Sequence, residues 1–308
     1  MTVRILQVGC GRWGVNVLRD LTELGTEVTV LARSRATEER ARAGGAAVVF
    51  AVEDAGAVDG VVIVTPAQHH AGSIRASALL GCPIFCEKPL VTDPSVADGL
   101  SDLCGDRLFV MHKWRWHPGV ERLAALAAEG ALGEVRGVRS TRLDWGSFHP
   151  GVDALDTALS HDLSIGYGIL GSIPPVAAAS GTEDARVPGG WSEASVLFAG
   201  ADGPRLAVEI SSVSAQPLRR VEVTGTLGSA VLPEPEAEAV ELLVHDGNLE
   251  RAPRRERIPL ERQWPLLREL RDFVAHCEGG PPPRATAEEG FAVVRAIAEV
   301  RAALGTRS

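Results

Sequence analysis

The sequence predicts an α/β fold built on a doubly wound parallel sheet, and three observations carry that expectation. Short, strongly apolar runs alternate with helix-patterned stretches through the first half. The first run, Val3 to Val8, leads directly into Gly9-Cys10-Gly11-Arg12-Trp13-Gly14 and a helical stretch reaching Leu24. A later run, Ile84-Phe85-Cys86, stops on Glu87-Lys88-Pro89, where proline fixes φ, lacks an N–H and ends the strand.

The 308 residues suffice for two domains, and 45% hydrophobic with 23% charged residues is ordinary for a globular chain. A net charge of −9 argues against nucleic acid or an anionic membrane as the main partner. The chain opens on a strand with no basic and apolar leader, and no run of 18 apolar residues suggests a membrane span. Five scattered cysteines show no paired metal-ligand spacing, so no metal is expected and the expected compartment is a reducing cytoplasm.

The glycine turn follows a strand and opens a helix, the setting in which Gly-x-Gly-x-x-Gly binds a dinucleotide. Gly9 and Gly11 allow a tight turn and close approach of a pyrophosphate to backbone N–H groups. Gly14 lets the helix pack on the strand, and Arg12 and Trp13 fill the variable positions, so all five are placed at the cofactor. The second strand, Glu27 to Leu31, ends in Ala32-Arg33-Ser34-Arg35, where an NAD-type site would carry Asp or Glu for the ribose 2′-hydroxyl. Arg33 and Ser34 suit a 2′-phosphate instead, so NADP(H) is expected over NAD(H). Strands at Ala47 to Phe50 and Gly60 to Val64 follow, the latter ending in Thr65-Pro66-Ala67-Gln68-His69-His70 before a helix through Leu80. The strand carrying Lys88, a helix over Ser95 to Leu103, and Leu108 to Met111 complete the half. Of 31 basic residues only Lys88 and Lys113 are lysine. Lysine, unlike arginine, can give up a proton, and the end of a parallel strand is where such sheets bind ligands.

Several motifs now line up in order along nearly the whole chain. They are Gly9-x-Gly11-x-x-Gly14, Thr65-Pro66 with His70, Glu87-Lys88-Pro89, and His112-Lys113-Trp114-Arg115-Trp116-His117-Pro118 in place of an Arg-aromatic-x-Pro signature. Leu132-Gly133-Glu134-Val135, His161-Asp162 and Val223 to Ser229 extend the series. The sequence resembles the Gfo/Idh/MocA family, the glucose–fructose oxidoreductase and inositol dehydrogenase group. That resemblance implies a Rossmann domain over 1–118 that binds the dinucleotide. It also implies a C-terminal α/β domain over 119–308 with an open, mostly antiparallel sheet for substrate binding and oligomerisation. It places Thr65, Pro66, His70, Glu87 and Lys88 at the cofactor, implies a cis Lys88–Pro89 peptide, and suggests a homodimer or homotetramer.

In the second half, helices are expected at Val120 to Glu129, Gly151 to Leu170, Pro265 to His276 and Ala287 to Leu304. Strands are expected at Glu134 to Trp145, Ala194 to Phe198, Leu206 to Ser212, Arg220 to Val223 and Ser229 to Leu232. His161 occupies the position of the family's active-site histidine. Many members carry an aspartate one turn earlier, but here the i−4 residue is Thr157. At 3.6 residues per turn Asp156 and Asp162 point to other faces, and Asp153 lies a further turn back. Lys88 and His161 are therefore the expected proton-transfer pair. Lys88, Lys113, Arg115, Trp145, Thr157 and His161 are the expected substrate contacts. An aromatic shelf of Trp114, Trp116 and Trp145, with Ser147 and His149 nearby, would suit a polyhydroxylated ligand.

The expected function is an NADP(H)-dependent oxidoreductase working on a secondary alcohol or ketone of a sugar, nucleotide-sugar or cyclitol. An imine or biliverdin-type reductase, a glycosidase using transient NAD oxidation and a non-catalytic NADP-sensing regulator share the architecture. The absent 2′-hydroxyl acid speaks against the glycosidase, Glu87-Lys88-Pro89 favours an enzyme over a sensor, and the missing aspartate keeps the sensor open.

Overall fold

The computed structural model describes residues 2–146, 152–247 and 251–305. The first half alternates β1 (Arg4–Val8), α1 (Gly14–Glu23), β2 (Glu27–Leu31), α2 (Arg35–Ala43), β3 (Ala47–Val49), β4 (Gly60–Ile63), α3 (His70–Ala78), β5 (Ile84–Glu87), α4 (Ala97–Cys104) and β6 (Leu108–Met111). Then come α5 (Pro118–Ala128), β7 (Val135–Trp145), a π-helical turn Leu155–Leu159 and α6 (Ser160–Leu170). Strands β8 (Val176–Glu183), β9 (Trp191–Phe198), β10 (Arg205–Ser211), β11 (Val213–Gly225), β12 (Gly228–Leu232), β13 (Ala239–Val244) and β14 (Arg254–Pro259) follow. Helices α7 (Pro265–Cys277) and α8 (Ala287–Gly305) close the chain.

The first sheet is entirely parallel, in the order β3-β2-β1-β4-β5-β6. Its central strands are buried on both faces, with Ile5, Leu6, Val61, Val62, Ile63, Ile84 and Phe85 fully enclosed. That is why they read as unbroken apolar runs rather than alternating ones. The order reverses between β1 and β4, and the crevice at such a reversal is where the fold accepts ligands.

The chain divides into two compact units, but not at a single cut. The first unit ends at Lys113 and takes in Trp264–Val294; the second begins at Trp114, runs to Gln263 and resumes at Arg295. The contiguous division at 118 expected from sequence thus misses a return of the chain. The reason is packing: α7 lies against α1, and Phe273 stacks on Phe85 of β5 at 5.0 Å. The segment before α8 covers the open edge of β6, with Val110 N–H donating to Ala285 O at 3.1 Å and a bridge from Phe109 to Thr286. His112, just past β6, meets Glu289 of α8 at 2.7 Å, both 1% exposed.

The second unit holds an eight-stranded sheet in the order β14-β13-β12-β11-β7-β10-β9-β8. Only β7 and β10 run parallel among its described pairs, so the sheet is mostly antiparallel. Strand β11 runs 13 residues where the sequence predicts four, with a register shift between Val213 and Leu218 against β7. The strands that the sequence reading omits, β8, β13 and β14, all lie toward the two ends of the sheet. Edge strands are often polar, and the arginine-rich β14 resembles a solvated loop.

Packing in the first unit has a direct check. Phe273→Ala should lower its unfolding free energy by about 3–5 kcal/mol in a denaturant titration, the usual cost of emptying a buried aromatic site. A loss below about 1 kcal/mol would mean that α7 does not contribute to that core.

Candidate active site

The glycine turn passes a test of fit for a dinucleotide. Gly9 has φ of +92°, and a Cβ there would meet Thr65 Cγ2 at 3.1 Å and Val64 O at 3.2 Å. At Gly14 a Cβ would meet Val64 Cγ2 at 3.2 Å and Gly9 O at 3.3 Å, so α1 approaches β4 closely. A Cβ on Gly11 would meet nothing within 4 Å. The protein's own packing does not require a glycine there, and the open space leaves the backbone approachable. Thr65 Oγ1 is buried beside this turn and has no hydrogen-bond partner among the described residues. Gln7, fully buried in β1, donates from Nε2 to Gly9 O at 2.9 Å and Gly14 O at 3.0 Å, clamping both ends of the turn. From α2, Arg40 reaches Cys10 O at 3.4 Å.

A cavity of about 650 Å³ opens at the end of β2, lined by Ala32, Arg33, Ser34, Phe50, Glu53 and Ala76 among others. Arg33 is exposed there. Ser34 caps α2, accepting from Thr37 N–H at 3.2 Å, so the positive end of that helix dipole also borders the space. Arg35 instead turns to Glu39 at 2.8 Å on the helix surface. Glu53 introduces a carboxylate that the sequence reading did not place at this cavity.

The turns after β4 and β5 are tied together. His70 is 1% exposed, with Nδ1 at 2.8 Å from Pro89 O and Nε2 at 2.8 Å from Thr65 O. Burial pulls its pKa below the ordinary value, against the opposing pull of the carbonyls. The enclosed ring lies between the two carbonyls and joins the turns after β4 and β5, a neutral imidazole donating to one of them at a time. Pro66 lies exposed in the first of these turns. The Lys88–Pro89 peptide is cis. Lys88 is half-buried, and its backbone N–H contacts the Glu87 carboxylate. Desolvation pushes Glu87 up to about 6, with Lys88 and Lys113 drawing it back. Lys113 Nζ sits 4.9 Å from the Trp13 ring, a cation–π contact that places it beside the glycine turn. Arg12 is exposed on that turn.

In the second unit His161 is half-buried on α6, between two anchored aspartates. Asp162 takes Arg142 Nε at 2.7 Å and Ser140 Oγ at 2.5 Å, fixing α6 to β7. Arg142 also lies 4.7 Å from the Trp114 ring. Asp153 is gripped by both Arg301 nitrogens at 2.8 and 2.9 Å and accepts from Trp191 N–H at 3.0 Å. The segment before His161 is not α-helical as expected. It forms a π-helical turn over Leu155–Leu159, the i→i+5 backbone pattern, which ends just before α6. Thr157 Oγ1 donates to Asp153 O at 2.9 Å, a backbone bond within the turn. Asp156 also meets Arg301 at 2.8 Å.

The expected aromatic shelf does not form as a whole. Trp116 is fully enclosed and Trp114 is 7% exposed, stacked on His117 at 5.0 Å. Trp145 stands 65% exposed at the end of β7. Arg115 lies against Gly168 of α6, where a Cβ would come 2.6 Å from its Nε. Ser147 and His149 lie outside the described residues. Among the described residues no cluster of three or more His, Cys, Asp or Glu is placed to hold a metal, and no helix is long and apolar enough to cross a membrane.

Residues 3–110 match the oxidoreductase family with an NAD-binding Rossmann fold that groups the Gfo, Idh and MocA proteins. Inositol 2-dehydrogenase of Rhizobium meliloti is 26% identical, covering 98% of this chain and 98% of its own. UDP-N-acetylglucosamine 3-dehydrogenase of Acidithiobacillus ferrooxidans superposes with a TM-score of 0.86 at 21% identity over 99% of this chain and 98% of its own. Levoglucosan dehydrogenase, solved with NADH and levoglucosan, gives 0.85 at 20% identity over 100% and 98%.

The open space at Gly11 makes a separable prediction. Gly11→Ala should leave the melting temperature of the free protein within about 2 °C, yet weaken dinucleotide binding at least about tenfold. Calorimetry on both proteins reads the two effects; an unchanged affinity would place the pyrophosphate elsewhere.

Proposed function

We propose that this chain, whose residues 3–110 match the Gfo/Idh/MocA oxidoreductase family, moves hydride between a nicotinamide dinucleotide and a sugar, nucleotide-sugar or cyclitol. The centre that gives up hydride is a secondary alcohol, and the centre that accepts it is the matching ketone. The observation that carries this reading is Lys88: a half-buried lysine at the C-terminal end of β5, in the same unit as a glycine turn with room for a pyrophosphate. The bound nicotinamide supplies or accepts the hydride.

The turn from Gly9 to Gly14 receives the pyrophosphate, Gly9 N–H itself being spent on Leu31 O at 3.2 Å, with Thr65 and Glu87 at neighbouring strand ends. Lys88 Nζ bonds the reacting oxygen, gives or takes its proton and offsets the developing negative charge. His161 serves as the second acid–base group. Asp162 and Asp153 hold that helix in place through Arg142 and Arg301. Lys113, Arg115 and the exposed Trp145 are the polar and aromatic contacts proposed for a polyhydroxylated substrate.

NADP(H) is the proposed cofactor, because the end of β2 carries Arg33 and a helix N-terminus in place of an acid. Glu53 in the same cavity and the NADH held by levoglucosan dehydrogenase weigh toward NAD(H). The assembly consistent with this reading is a cytoplasmic homodimer or homotetramer.

Lys88→Ala should lower kcat by about 100-fold or more while the dinucleotide Kd stays within about twofold. Turnover near the wild-type value would remove Lys88 from the chemistry. In paired titrations NADPH should bind more tightly than NADH, and Arg33→Asp should reverse the order; tighter NADH binding by the wild type would overturn the proposed preference. His161→Ala should lower kcat about 100-fold, and an unchanged kcat would remove His161 from the chemistry.

A further inference from the structure

The sequence reading passes over Glu269, a glutamate in the middle of an amphipathic helix. The structure encloses it to 1% exposure on α7. Its Oε2 is buried with no hydrogen-bond partner among the described residues. Charged glutamates are almost never buried without a partner, so an enclosed one has a reason to be there.

Its place follows from the packing of α7. Phe273, one turn later on the same face, stacks on Phe85 of β5. A further turn on, Cys277 meets the start of β4, where a Cβ on Gly60 would lie 2.5 Å from its Sγ. The helix therefore runs antiparallel to the strands, and Glu269 lies at their C-terminal ends, beside Glu87. Lys113, immediately past β6, acts on both carboxyls, and Lys88 acts on Glu87. Both lysines of the chain thus converge on a pair of glutamates. We propose that Glu269 is a positioning residue for Lys88, its carboxyl forming with Glu87 and Lys113 a buried cluster that sets the charge presented under the Glu87-Lys88-Pro89 turn. The proposal rests on the catalytic assignment of Lys88 made above.

Burial pushes Glu269 well above the ordinary carboxyl range, the Glu87 charge pushes it further, and Lys113 opposes both. The half-buried Glu87 and the enclosed Glu269 act on each other and do not both ionise easily, so they lose their protons in two separated steps. Glu87 goes first, at about 6, and Glu269 carries the second step. Other charges near these elements are locally compensated: Asp20 of α1 by Arg19 at 2.6 Å, and Glu289 of α8 by His112. On α7 itself, Arg268 and Asp272 are half-buried, Arg271 is exposed, and none is among the charges acting on Glu269.

The two lysines make the cluster directly visible. The full chain grown with lysine carrying ¹³C at Cε gives two side-chain signals, and Lys88→Met assigns them. Without any ligand, the Lys113 signal should show an inflection above pH 6, separate from its own deprotonation. Glu269→Gln should abolish that inflection, Glu269→Asp should retain it, and Glu87→Gln should move it to lower pH by about one unit as the repulsion is lost. Lysine curves in Glu269→Gln that superimpose on the wild type would overturn the proposal. If that variant does not fold, an inflection unmoved in Glu87→Gln overturns it equally. In turnover, Glu269→Gln should lower kcat about tenfold with the dinucleotide Kd unchanged; an unchanged kcat would sever the cluster from Lys88. The lysine curves need no substrate, so failure of the oxidoreductase reading and failure of the cluster are told apart.

Discussion

Two backbone carbonyls, Thr65 O and Pro89 O, converge on one buried imidazole, and the site in the first unit depends on that contact. Parallel strands end in loops with no ladder of their own. Without a tie, the turns after β4 and β5 would move independently, and the groups they carry would lose their spacing. His70 fixes both turns at once, at the N-terminus of α3. One of these turns presses on Gly9 through Thr65, and the other presents Lys88.

The charges are arranged on this frame at some cost. Glu87 and Glu269 are carboxyls that burial holds toward their neutral forms, and the chain's two lysines supply the compensation. The second unit solves its electrostatics differently. There each buried aspartate is matched to an arginine, Asp162 to Arg142 and Asp153 to Arg301, at ordinary ion-pair distances. Those pairs are anchors that stiffen the helix carrying His161. The glutamate cluster is under-compensated, and that leaves it able to respond to pH.

Much of the first unit was legible in the sequence because its parallel strands are buried on both faces and bounded by glycine or proline. Lys88 stood out because a chain that uses arginine almost everywhere kept lysine there. Gln7 left a signal that went unread, a polar residue inside an apolar strand two positions before Gly9. Glu269 left a weaker one, since a glutamate on an amphipathic helix reads as solvated until its burial is seen. The return of α7 to the first unit is a long-range contact that no local pattern encodes. The π turn was equally hidden. Counting 3.6 residues per turn across Leu155–Leu159 assumed an α-helix that the backbone does not form there. The edge strands β8 and β14 were missed because edges are built from small or charged residues.

The central claim is that this chain oxidises or reduces a polyhydroxylated substrate through a bound nicotinamide. It is tested most directly by following the absorbance of the reduced nicotinamide while the wild-type protein is offered cyclitols, aldoses and nucleotide-sugars with NADP⁺ or NAD⁺. The account predicts a rise with at least one secondary alcohol and its reversal with the matching ketone. A protein that binds the dinucleotide tightly and changes its absorbance with none of them would contradict the account and leave a dinucleotide sensor on an enzyme's fold.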